Sequence, residues 1–401
     1  VQSVEEQECM TKWPLMYNNI TEGDADVLIE FLKKRPLPIL TNSNKVREFE
    51  AEWSKWLGVK YSVFVNSGSS ANIITLAMLK NILPIERREV IVSPLNWVSD
   101  ICAILHAGLT PVFCDINLKT LALDEDELEK KISPRTGAII LTHILGYNGM
   151  TNKILSLSRD NKIILIEDVC ESHGATHNGI KLGSLGGISN FSFYYAHHMT
   201  SIEGGMICTN SNTLYELARI MRSHGMLREA NDKTYVEGTA KLYPNLNKDF
   251  IFMYPGYNMR STELNAVLAL NQLPRLDANV LIRKNNLNLF LNNLDSKKYY
   301  TDFNIEGNSN YAFTLLLKEP DFQLRDKVEQ TLRENGIEFR RGMSGGGNQL
   351  RQPYLEDLGG EEFAKKFPNT DHVHFFGWYI GNYPDLASIE IFKLTQLLNS
   401  I

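Results

Sequence analysis

The sequence predicts an α/β fold: a doubly wound, mostly parallel sheet covered by helices on both faces, followed by a smaller C-terminal α/β unit. Three observations predict it. From about residue 61, short apolar runs alternate with helical patterns, which is the rhythm of βαβ units. The run Ile163-Ile164-Leu165-Ile166 is wholly apolar and ends in Glu167-Asp168, as a strand does when it leaves a buried sheet at a polar rim. After a polar stretch, strand-like and helical segments resume in a new order near the C-terminus. We expect a large unit over residues 1–270, including an N-terminal segment, and a smaller one over 271–401.

In chain order, Tyr61–Val65, Val90–Val92, Pro111–Asp115, Ala138–Thr142 and Ile163–Ile166 read as strands. Between them, Ser70–Lys80, Trp97–Ala107, Asp124–Lys131 and Lys153–Arg159 read as helices. An aromatic run from Ser192 leads through a Glu-Gly-Gly turn into a further strand, Met206–Thr209. Arg228–Asp249 is rich in charge and poor in apolar pairs, so it reads as a long excursion. Thr262–Leu291 carries a continuous helical pattern, and the tail adds a strand at Tyr311–Leu317 and a helix at Arg325–Asn335. Ser344-Gly345-Gly346-Gly347-Asn348 reads as a mobile connector in preference to a substrate lid.

Composition narrows the function. The chain has 401 residues, 43% hydrophobic and 22% charged, with no apolar run near the roughly 20 residues of a membrane span. Val1–Met10 is polar and acidic and lacks the marks of a secretory signal, so a cytoplasmic location is expected. A net charge of -6 without a basic cluster argues against nucleic acid as a partner and leaves room for a local cationic pocket. The five cysteines, Cys9, Cys102, Cys114, Cys170 and Cys208, stand singly, which suggests neither a disulfide framework nor a zinc or iron–sulfur motif.

Several segments could carry chemistry. Val65-Asn66-Ser67-Gly68-Ser69-Ser70 passes from a strand end into a helix start, where free backbone N–H groups bind phosphate; a serine-capped helix without ligand is the competing reading. Asp168 could pair with a cationic ring nitrogen or serve as an N-cap or surface acid. Trp97, just beyond a strand, could cover a flat ring or pack in a core.

Ser192-Phe193-Tyr194-Tyr195-Ala196-His197-His198-Met199-Thr200-Ser201-Ile202-Glu203-Gly204-Gly205 is the most informative stretch. It resembles the segment of the DegT/StrS family of pyridoxal phosphate (PLP) sugar aminotransferases that reads Ser-Phe, Lys, Glu-Gly-Gly. In that family the lysine anchors the cofactor as an imine. Here His197 takes the position, and no lysine occurs from residue 182 to 232. The likeness extends over nearly the whole chain through Gly68-Ser69, Trp97, Asp168, Ser192, His197 and Gly256-Tyr257-Asn258-Met259-Arg260. It implies an aspartate-aminotransferase-like fold and a homodimer with shared active sites. It further implies that Gly68, Ser69 and Ser192 hold the cofactor phosphate, Trp97 stacks on the ring and Asp168 meets the ring nitrogen. Glu171 stands where the family usually has Gln, near the ring hydroxyl, and Asn258 reaches the phosphate of the neighbouring subunit.

A histidine cannot form the anchoring imine but can move protons near neutrality. The His-His pair before Glu-Gly-Gly resembles the 3-dehydratase branch of the family, which acts on nucleotide-linked 4-keto-6-deoxyhexoses. The resemblance implies PLP or pyridoxamine phosphate (PMP) held without a covalent anchor, L-glutamate as amino donor, and a nucleotide sugar as substrate, with GDP-4-keto-6-deoxymannose expected. His197 would be the acid–base residue, joined by His224 in Arg222-Ser223-His224-Gly225, which could equally be a plain helix-end histidine. A sister branch uses an iron–sulfur cluster; the lack of cysteine after Cys208 favours a chain without one. Arg228 and Arg260 could meet substrate phosphates or form surface ion pairs. A sugar aminotransferase and a cofactor-binding regulatory protein are the competing functions.

Overall fold

The computed structural model describes residues 12–401; Val1–Met10, with Cys9, on which the leader argument rested, lie outside them. Seven strands form the main sheet: β1 (Tyr61–Val65), β2 (Glu89–Val92), β3 (Thr110–Phe113), β4 (Thr136–Thr142), β5 (Ile164–Asp168), β6 (Ile188–Ser192) and β7 (Gly205–Thr209). Their order is β1-β7-β6-β5-β4-β2-β3. Neighbours from β6 to β3 run parallel. Strand β7 is antiparallel to both β1 and β6; the connection over residues 193–204 turns the chain back beside β6.

Alternation along each strand assigns the two faces. Val63, Val65, Val90, Val92, Ala138 and Ile140 point into one apolar layer with residues of the helices Gly68–Ile82, Val98–His106 and Asn212–Arg222. Phe64, Ile91, Ile139 and Leu141 point into the other, against the helices Asn44–Leu57, Glu125–Lys131, Asn152–Asp160 and Glu263–Gln272. Helix starts follow local chemistry: Ser67, Asp124, Thr151, Ser211 and Thr262 each cap a helix by accepting a backbone N–H in the first turn.

A second sheet, β8 (Ala312–Leu316), β9 (Phe339–Arg341) and β10 (Gly377–Gly381), is antiparallel in the order β8-β10-β9. It shares a core with residues of the helices Leu276–Asn293, Phe322–Glu334 and Ser388–Ser400. Leu95, Ile144, Leu145 and Tyr147, from the loops after β2 and β4, also enter this core, which fixes the smaller unit over the strand ends of the larger.

Three expectations change. The helical pattern over 262–291 is two helices, Glu263–Gln272 and Leu276–Asn293, separated by a 3₁₀ turn at Leu273–Arg275; Pro274, lacking an N–H, breaks the ladder. The 228–249 excursion contains a helix, Lys233–Ala240, capped by Asp232; none of its residues is buried, so it leaves no apolar periodicity to read. Residues 344–348 are no free connector. Ser344 and Asn348 are buried, and Asn348 bridges to Leu95.

Candidate functional site

A cleft of about 460 Å³ opens where the parallel strands end. Thr142, Asp168 and Ser192 close β4, β5 and β6; Ser67 to Ser69 follow β1, Trp97 follows β2, and His197 and Glu203 lie in the β6–β7 connection. The smaller unit contributes Tyr311, Arg340, Ser344 and Tyr379. Ligands of wound sheets gather at this edge. A wider groove of about 630 Å³ between Lys12–Met16 and the 329–341 segment adjoins it and shares Met16 and Arg340 with the cleft.

One corner is an anion cradle. Ser67 caps the Gly68–Ile82 helix by accepting the Ser70 N–H at 3.0 Å, and the Gly68 and Ser69 amides fall at the helix N-terminus. A Cβ on residue 68 would lie 2.6 Å from the Ser192 Cβ, so only glycine lets the helix start approach the end of β6. Ser192 Oγ accepts the Tyr194 N–H at 3.3 Å and keeps its own proton to donate.

Opposite stands Asp168, 5% exposed. Its Oδ1 accepts the Cys170 N–H at 2.9 Å and its Oδ2 accepts the Asn72 amide at 3.0 Å. The same Asn72 amide donates to Asp100, and the Asn72 carbonyl accepts from Asn190 at 2.7 Å. Thr142 donates to Asp100 at 2.8 Å. The indole of Trp97 lines the cleft with its far side against Gly345.

His197 lines the floor. Its main-chain carbonyl is held by the Asn19 amide at 2.6 Å, and its ring lies 5.4 Å from Tyr311 and 6.1 Å from His173, centroid to centroid. Nδ1 is buried without a hydrogen-bond partner. Burial holds the imidazole down at about 4, against the pull of the Asp168 carboxylate, so it is neutral and free to accept a proton at physiological pH. Glu171 accepts the Leu145 N–H at 2.9 Å and the Ser344 hydroxyl at 3.3 Å. Burial, with the nearby Asp168 charge, raises it to about 7.

Gly68, Ser69, Trp97, Asp168, Glu171, Ser192 and His197 therefore converge. His224, Asn258, Arg228 and Arg260 do not line the cleft in this chain. Ser223 bridges to Asn258 and Tyr257 accepts the His224 N–H at 2.6 Å, which places His224 and Asn258 together on an exposed edge. Arg260 donates to Asn258 at 3.1 Å, while Arg228 lies over the Phe250 ring. Sequence reasoning missed Asn72, Asp100, Thr142, Tyr311, Arg340 and Tyr379. A helix residue four positions after a capped phosphate loop, as Asn72 is, was the one available signal; the rest come from remote segments.

This edge, with a capped helix start after β1, an acid at the end of β5 and an indole after β2, suits a phosphorylated aromatic ring. A family model described as the DegT/DnrJ/EryC1/StrS aminotransferase family matches residues 20–397. The chain belongs to that family. Among its DegT/DnrJ/EryC1/StrS relatives, a GDP-4-keto-6-deoxy-D-mannose 3-dehydratase of Yersinia pseudotuberculosis is 29% identical over 396 residues, 98% of this chain and 99% of that protein. The structure of the Escherichia coli GDP-4-keto-6-deoxy-D-mannose-3-dehydratase with bound hydrated PLP matches with a TM-score of 0.85 at 27% identity, covering 97% of this chain and 100% of the other. Another structure of a dehydratase of that name, with a trapped PLP-glutamate geminal diamine, matches at 0.83 and 26%, covering 96% and 100%. The expected α/β aminotransferase-like fold is thus borne out.

Proposed function

We propose that this chain is a 3-dehydratase of a nucleotide-linked 4-keto-6-deoxyhexose, GDP-4-keto-6-deoxymannose in the first instance, working with PMP that is not covalently anchored and is regenerated from L-glutamate. One observation carries the reading: His197 lines the cleft where the family places its lysine, and no lysine is among the described residues around it.

The residues fit the cofactor. The helix start that Gly68 lets approach Ser192 suits a phosphate held by the Gly68 and Ser69 amides and Ser192. Trp97 would cover the ring, Asp168 would meet the ring nitrogen, and Glu171 would lie near the ring hydroxyl. When bound, PMP supplies an amine able to condense with a 4-ketone and a ring that withdraws electrons. His197, neutral in its buried setting, accepts the proton from the reacting carbon and returns one to the departing C-3 hydroxyl oxygen. The buried Nδ1 leaves the other ring nitrogen to do so.

Arg340 is the single Lys or Arg among the described lining residues. It donates to the Tyr379 hydroxyl at 3.4 Å and forms no ion pair with a carboxylate among the described residues, so it would receive the carboxylate of glutamate. His224 and Asn258, exposed together on one edge, would complete the site of a second subunit in a homodimer, with Arg228 and Arg260 toward substrate phosphates. The singly placed cysteines support a glutamate-driven reaction without an iron–sulfur cluster.

The deciding experiment incubates the PMP-loaded protein with GDP-4-keto-6-deoxymannose and glutamate and weighs the product. Loss of the C-3 hydroxyl is expected. Exchange of the keto oxygen for an amine would make the chain an aminotransferase, and no turnover with either substrate would make it a binding protein.

A further inference from the structure

We propose that Asp100 is a positioning residue for Asp168: the two carboxyl groups hold one proton between them, Asp100 carries it, and Asp168 presents the single negative charge of the pair to the cleft. Asp100 lies in the first turn of the Val98–His106 helix, 1% exposed, directly behind Asp168. The Asn72 amide donates to an oxygen of each acid, so one side chain ties the two carboxyl groups together. Among the described residues neither acid pairs with Lys or Arg. The titratable groups facing Asp100 are Asp168, Cys170 just past β5, and Tyr354, and Asp168 also faces His197 and Glu171; with His197 held neutral by burial, none is cationic.

Two ionised carboxylates cannot share so dry a place without a cation. The donors decide which one stays charged. Both Asp168 oxygens accept fixed N–H donors, Oδ1 from the Cys170 backbone at 2.9 Å and Oδ2 from the Asn72 amide at 3.0 Å, which leaves the proton to Asp100. Asp100 faces the Thr142 hydroxyl at 2.8 Å, which already accepts the Asn96 amide at 3.0 Å and can turn to accept from a protonated acid. Burial and the charge of Asp168 both push the Asp100 carboxyl well above the ordinary carboxylate range. What the pair does for a bound ring nitrogen rests on the proposed function; the pair itself does not.

Infrared spectroscopy of the full chain, as differences between pH values recorded separately with and without PMP, tests it. At neutral pH the wild type should show the C=O band of a protonated carboxyl group. Glu171, raised to about 7, adds a band of its own at neutral pH, so the comparison is made in a Glu171→Gln background: there the band should persist, and adding Asp100→Asn, which keeps the shape of the protonated acid, should remove it. In Asp168→Asn it should titrate lower by roughly a unit or more, since the neighbouring charge is gone. A Glu171→Gln protein without the band, or a band that survives Asp100→Asn in that background, overturns the proposal. Should a variant fail to fold, carbon-13 titration of the wild-type Asp carboxyls decides: one still protonated above about pH 6 supports the pair, and all ionised by about pH 5 overturns it. The band is expected in the cofactor-free protein too, so failure of PMP to bind would sink the proposed function and leave the pair standing.

Discussion

Gly345 backs the indole of Trp97 so closely that a methyl group on it would overlap the six-membered ring. Its φ of +82° also lies in the left-handed region that side chains disfavour. The small unit therefore holds the indole from behind while its other face borders the cleft. Gly345→Ala should swing Trp97 out of place and weaken cofactor binding about 10-fold, or about 1.4 kcal/mol. Titration of the cofactor against protein absorbance measures this, and Trp97→Phe should cost less because it keeps an aromatic face.

His197 should make the reaction unusually tolerant of acid. Burial holds it at about 4, so its basic form persists well below the 6.5 of an ordinary imidazole. The acid limb of the glutamate half-reaction, followed by stopped-flow pH jump, should have its midpoint near this lowered value. The linkage to folding has the matching sign: with a folded value below the unfolded one, the unfolded chain binds more protons between about 6.5 and 4, so stability falls as pH drops through that window. His197→Asn should lower turnover by about 10²- to 10⁴-fold while leaving the cofactor bound. Borohydride should fix no cofactor to the wild type and should fix it in His197→Lys.

Much of this is legible in the sequence, for physical reasons. His197 stands out because the stretch around it resembles the family's Ser-Phe, Lys, Glu-Gly-Gly segment, in which a lysine takes its position. Asp168 and the strand ends were readable because a strand buried on both faces must be apolar until it reaches the ligand edge. The indole's support was not readable. Ser344 to Asn348 looks like a free linker in sequence, and only the packing of the small unit over the strand ends presses Gly345 onto Trp97. Tyr311, Arg340 and Tyr379 enter the cleft for the same reason, from segments with no local sign of chemistry. The 262–291 segment reads as one helix in sequence because its helical pattern continues past Pro274, where the structure divides it into two.

Glu171 gives a prediction with a definite sign. Its folded value, about 7, lies above the ordinary 4.5, so its contribution to stability is fully present in acid and is lost as pH rises through that interval. Glu171→Gln removes the cost of burying the charge. The amide oxygen can keep the Leu145 N–H, and the amide nitrogen can donate to Ser344, whose hydroxyl turns to accept. Relative to wild type, the variant should gain about 1–3 kcal/mol between pH 5 and 8, measured by urea unfolding at each pH. A gain that does not change with pH would mean that Glu171 is not the titrating group.

Arg340 offers the cleanest separation of the two halves of the reaction. It stands on β9 in the small unit with the Tyr379 hydroxyl as its recorded hydrogen-bond partner, so a carboxylate arriving in the cleft meets a guanidinium not committed to another acid. A charge-assisted hydrogen bond of this kind contributes about 1.5–3 kcal/mol, which corresponds to roughly 10- to 100-fold in affinity. Arg340→Gln should therefore raise the KM for glutamate by that factor, with Arg340→Lys recovering part of the loss through its charge but not its fork. The keto-sugar half-reaction, run as a single turnover from PMP-loaded protein, should keep its rate, because no carboxylate enters there. A loss confined to the sugar half-reaction would instead assign Arg340 to the nucleotide diphosphate.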